Sequence, residues 1–145
     1  MAISTIRAGA ARESGGDVGL LILRLVLGGL ILLHGLAKLP PPPAFITSLL
    51  VKLDLPTALA YGVYLGEIVG PVLIIIGIWT RLGALLIVGN MLFAVMLAHT
   101  KDLFHLGPQG GYALELQAMY LFTALALVLL GAGRFSLGGR LGPMN

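Results

Sequence analysis

The chain has no cysteine. That removes disulfide exchange, thiolate nucleophiles, iron–sulfur clusters and Cys-ligated zinc from its available chemistry. Charge is scarce too: Asp, Glu, Lys and Arg make up only 10% of the residues, against 58% hydrophobic. Mean hydropathy is +1.01. A soluble domain this apolar would expose large greasy patches and aggregate, so the composition points to an integral membrane protein. The net charge of +3 reads as a topology signal and not as nucleic-acid binding.

What is present is a set of four long apolar segments, at about residues 18–37, 57–78, 82–98 and 112–132. Each is long enough to cross about 30 Å of hydrocarbon as a helix. Helices are required because lipid cannot satisfy backbone polar groups. The pattern predicts an all-α, four-helix membrane bundle over residues 18–132, with a flexible N-terminal tail at 1–17 and a short C-terminal tail at 133–145. The first apolar run is too long for a signal peptide, contains Arg24 and lacks a small-residue cleavage site after it.

Between the first two segments, Phe45, Ile46, Leu49, Leu50 and Leu53 recur at helical spacing, with Thr47, Ser48 and Lys52 opposite. This predicts a short amphipathic helix on the membrane surface. Four crossings place Arg7, Arg12, Arg81, Arg134 and Arg140 on one side and Lys38, Lys52 and Lys101 on the other. The excess favours cytoplasmic termini in a multi-pass protein.

The polar residues inside the apolar segments carry the functional argument. Glu67 lies in the middle of the second segment, where a carboxylate costs roughly 3 kcal/mol or more. Arg24, on the first segment, is expected about one helical turn nearer the inner face, within reach of an ion pair with Glu67. Nearer the outer face, His34, Lys38, Tyr64, His99 and Glu115 are expected to line or rim a ligand-binding cavity. Helical-wheel stripes direct Arg24, Gly28, Ile31, Gly35 and Lys38 inward from the first segment. They do the same for Tyr64, Glu67 and Pro71 on the second, and for Tyr112, Glu115, Met119 and Phe122 on the fourth. Asn90 is expected to bond a neighbouring helix, and on a straight helix it points away from His99. Gly62, Gly66 and Gly70 let backbones approach closely, and Pro71 can kink the second segment one turn beyond Glu67, freeing a carbonyl. His34 and His99 raise the question of bis-His haem. Their different depths and the absence of CxxCH argue against it, and no metal site is expected.

The runs LRLVLGGLILLHGLAKL at 23–39 and GEIVGPVLIIIGIWTRLGALL at 66–86 resemble the DoxX family of small four-helix membrane proteins. The resemblance extends over about 18–130. It implies a bacterial or archaeal cytoplasmic (inner) membrane protein linked to quinone or sulfur redox chemistry. Arg24, His34, Lys38 and Glu67 match the family's polar positions, and no catalytic role comes with them. The expected function is the membrane subunit of a redox system that binds a quinone or similar small headgroup and takes electrons from a soluble partner. Alternatives are a non-catalytic anchor for a partner enzyme and a small-solute or proton transporter, which would require a homo-oligomer.

Overall fold

The structure, a computed structural model, describes residues 2–39 and 41–145, with side chains described from Gly15 onward. Of the expected tail at 1–17, Met1 lies outside the described residues, and residues 2–17 belong to the first helix. Among the described residues the chain is helical and contains no strand. Five α-helices follow in order: α1 (Ala2–Ala37), α2 (Ala44–Lys52), α3 (Gly70–Ile76), α4 (Thr80–Ala98) and α5 (Glu115–Leu130).

The second apolar segment is not one regular helix. It opens as a 3-10 stretch at Thr57–Gly62, passes through a π-helical turn at Leu65–Val69 and ends as α3. Pro71 explains the turn. It has no N–H to give the carbonyl four residues back, that of Glu67, and its ring crowds that position. Gly70 bonds the carbonyl of Leu65 instead, five residues back.

The stretches Gly15–Ala37, Thr57–Ile76 and Thr80–Ala98 are long and apolar enough to cross a membrane. The fourth helix is shorter than the sequence pattern predicts, 16 residues. It starts at Glu115 and stops at Gly131, whose φ of 80° and ψ of −163° lie outside helical space and favour glycine.

Leu27 and Ile31 of α1, Ile74 of α3, Ala84, Ile87 and Met91 of α4, and Ala124 and Leu127 of α5 form the bundle core. Small residues set how closely the backbones approach. A methyl group on Gly70 would lie 2.8 Å from the Gly83 carbonyl, and one on Gly83 would lie 2.8 Å from the Gly70 carbonyl. On α1, Gly28 faces Ile74 and Ile75, while Gly35 lies against the Glu67 carbonyl. These contacts fix an antiparallel register in which the last turn of α1 is level with Glu67.

The surface helix is present as α2. Its Ile46 and Leu50 are buried against Ala60, Val63 and Leu97, so it roofs one end of the bundle. At the other end, residues 131–145 fold back over the α3–α4 turn. Leu137 and Gly138 donate to the carbonyls of Ile76 and Gly77, and Arg81 donates to the carbonyl of Met144.

Candidate functional site

Two polar clusters sit at opposite ends of the bundle. Both satisfy their buried groups: among the described residues no buried side-chain nitrogen or oxygen lacks a hydrogen-bond partner.

The first cluster closes the end covered by residues 131–145. Arg24 is 1% exposed. Its Nε donates to the Ile74 carbonyl at 2.7 Å, and Nη2 donates to that of Ile75 at 3.0 Å. Its Nη1 donates to the carbonyls of Ala132 and Phe135, each at 2.7 Å. Ile74 and Ile75 lie in the last turn of α3, where carbonyls lack intrahelical partners, and Ala132 and Phe135 lie in the stretch that follows α5. Nearby, buried Asp17 accepts from Arg140 Nη2 at 3.2 Å and from the Arg134 N–H at 2.9 Å. Asn145 Oδ1 accepts from the N–H of Thr80 at 3.1 Å and from its hydroxyl at 3.2 Å, capping the start of α4.

The second cluster floors a cavity of about 200 Å³ at the α2-covered end. Lys38 Nζ donates to Glu67 Oε1 at 2.5 Å and to Oε2 at 2.7 Å. Asn90 Nδ2 donates to Glu67 Oε1 at 3.3 Å. The Tyr64 hydroxyl donates to the Lys38 carbonyl at 2.8 Å, satisfying a group left over at the end of α1. Glu67 is 5% exposed, so its charge is matched almost wholly by protein groups. A lysine ammonium has three donors and two are used here, which leaves one for a ligand.

Above this floor the walls are mostly apolar and aromatic. Ile31, Phe45, Ile46, Val63, Met91 and Leu97 line them, with His34, His99, Gln117 and Tyr120 as the polar members. The rings of His34 and Tyr120 meet edge to face, 6.1 Å between centroids. His99 Nδ1 lies 3.1 Å from Asp102 Oδ2, which leaves Nε2 as the ring nitrogen open to a ligand.

The expected ion pair between Arg24 and Glu67 does not form. Glu67 pairs with Lys38, and Arg24 binds only carbonyls. The cause is register. With Gly35 set against Glu67, Arg24 lies eleven residues further down α1, about 16 Å at the helical rise. No side chain spans that gap. Of the residues expected at the cavity, His34, Lys38 and His99 are in its lining. Tyr64 stands behind the floor on Lys38, and Glu115 lies outside the lining at the exposed start of α5.

The stripe chosen on the fourth segment faces outward: Met119 and Phe122 are each 66% exposed. Its inward face carries Tyr120, Ala124 and Leu127. Glu115 exerts no inward pull because it sits exposed in the first turn of α5. Asn90 and His99 do share the cavity. The helix ends at Ala98, and His99 adopts φ −126° and ψ 16°, which redirects its side chain. Gln117 and Tyr120 were not anticipated; their only sequence signal is a polar group at i, i+3 on an otherwise apolar helix.

The DoxX family profile matches residues 19–100. An uncharacterized protein of Haemophilus influenzae is 33% identical over 124 residues, covering 83% of this chain and 89% of that protein. A Bacillus subtilis protein named "Putative oxidoreductase CatD" is 28% identical over 116 residues, covering 80% of this chain and 81% of its own length. No solved structure matches the chain. The profile spans more than half of the sequence and includes the second half of α1, the π turn, α3 and α4, so this all-helical membrane protein belongs to the DoxX family.

Proposed function

We propose that the cavity binds a quinone or a similarly small headgroup and that the protein is the membrane subunit of a redox system. One observation carries this reading: a charged, hydrogen-bonded floor with one spare donor lies beneath apolar walls that hold two histidines. A few convergent polar groups in an apolar hollow are the general signature of a small-molecule site. The name of the Bacillus subtilis relative agrees with redox chemistry.

The residues have distinct tasks. The spare N–H of Lys38 is positioned to donate to a carbonyl oxygen and to stabilise negative charge developing there. Glu67 and Asn90 hold that ammonium in place. His34 and His99 are the wall groups suited to proton transfer. Reduction of a quinone to a quinol takes two electrons and two protons. The protons are assigned to the two histidines, replenished from the cavity mouth. Both electrons are assigned to a peripheral flavin or iron–sulfur protein, because this chain has no cysteine with which to build a cluster of its own. We further propose an inner-membrane topology in which all four long helical stretches cross, residues 131–145 face the cytoplasm and the cavity opens on the other side.

Titration of the purified protein with a short-chain quinone tests the reading. Saturable binding is expected, weakened about tenfold by His34→Ala or His99→Ala and unchanged by Glu115→Gln, which lies outside the cavity. Absence of saturable binding to the parent protein would overturn it. The complete matching of buried polar groups favours a second reading, in which the charges serve architecture alone and the protein anchors a partner enzyme. That reading expects the same histidine variants to leave the partner's activity intact.

A further inference from the structure

We infer that the ligand of the cavity is a membrane-resident lipid whose hydrocarbon tail lies along the outer face of the bundle, between the second apolar segment and α4. The inference rests on the cavity reading above and adds the class of ligand. On that face there is a second hollow, a groove of about 300 Å³. It runs past Gly62, Leu65 and Gly89, and Leu59, Asn90 and Phe93 line both groove and cavity. Among the described residues, Asn90, which bonds Glu67 on the cavity floor, is the only polar side chain in the groove lining.

Size supports the division of labour. Sites that enclose a whole drug-sized ligand run from roughly 300 Å³ upward. At about 200 Å³ the cavity suits a headgroup, and the rest of a larger ligand needs an exit. The groove supplies one that is apolar, adjoining and open toward lipid, since Leu59 and Leu65 are exposed on this spanning stretch. A ligand delivered from water would have no use for it. Moving a tail from bilayer to groove gains no hydrophobic energy, because both surroundings are apolar. The groove therefore acts through shape and dispersion contacts, holding the tail so that the ring enters in one orientation.

The glycines give a clean test. At Gly62 and at Gly89 an added β-carbon meets no atom within 4 Å, so a larger side chain there fills the groove without pressing on the bundle. The experiment measures binding of a methoxy-substituted benzoquinone, and of the same ring carrying a decyl tail, to the parent protein, Gly62→Leu and Gly89→Leu at one detergent concentration. The parent is expected to prefer the tailed compound. Both variants are expected to lose about tenfold affinity for it while binding the tailless ring as before. Undiminished binding of the tailed compound to both variants would overturn the inference and leave the cavity reading standing. Equal losses for the two compounds would overturn it as well, because the glycines would then serve the cavity's own shape. Failure of the parent to bind either compound would remove both readings together.

Discussion

Arg24 and Glu67 solve the same problem in different ways. Each is a charge in an apolar segment, and each is almost fully enclosed. Glu67 is neutralised by another side chain, whereas Arg24 makes four hydrogen bonds to main-chain carbonyls on two chain segments. A lysine cannot copy that fork, so Arg24→Lys is expected to cost roughly 3 kcal/mol although it keeps the charge. Glu67→Gln leaves Lys38 without its counter-charge and is expected to cost a similar amount, about 3 kcal/mol. Because the two residues share no partner, the double variant should lose the sum of the single losses to within about 0.5 kcal/mol. Thermal unfolding of the four proteins in detergent checks this, and strong coupling would contradict the separation seen here. That both residues matter is legible in the sequence, since charge in a greasy run needs a reason. The partner of Arg24 is not legible, because every residue carries a carbonyl and no side-chain pattern marks the ones it binds. Lys38 invites misreading for the opposite reason. Its spacing puts it on the inward stripe, but at the membrane edge a lysine can also reach water, so the pattern does not single out Glu67 as its partner.

At the level of elements, irregular backbone places the site. Pro71 displaces the hydrogen bonding of the turn that carries Glu67, and Gly35 lets α1 come close enough for Lys38 to reach the carboxylate. Pro71→Ala is expected to restore the regular bond to the Glu67 carbonyl and rotate the carboxylate away from Lys38. Quinone affinity should fall by about tenfold or more with little change in helical content by circular dichroism. Gly77, which ends α3 at φ +72°, has a second constraint: a methyl group there would collide with the guanidinium of Arg24. Gly77→Ala should therefore exceed the roughly 1–2 kcal/mol that left-handed backbone alone costs an L-residue, as read from the unfolding midpoint in detergent. The proline's effect could be foreseen, because a missing N–H always orphans a particular carbonyl. The fourth helix could not be placed from its pattern. When a helix is apolar all round, with Met and Phe as acceptable to lipid as to a core, periodicity does not say which face turns inward.

Seen whole, the molecule has one open end and one closed end. The open end holds the cavity under α2, and the closed end is sealed by residues 131–145. The lack of native cysteine makes the proposed sidedness easy to check. Single cysteines at Lys101 and Arg134, both exposed, should react with an impermeant maleimide from opposite faces of intact cells and inverted vesicles. Labelling of both from one face would contradict the proposed topology. The number and order of the helices follow from the apolar runs. The closure does not, because residues 131–145 hold through main-chain groups, Asn145 and bonds to Arg24 and Asp17, and lack the hydrophobic periodicity that announces an element. The grip of Arg24 also bears on biogenesis. The carbonyls of Ala132 and Phe135 lie 108 and 111 positions downstream of it. A ribosome therefore delivers the opening helix before any of its partners, supplies the Ile74 and Ile75 carbonyls midway, and completes the set only as synthesis nears this stretch. A chain that stops short of it holds that guanidinium by only half of its contacts.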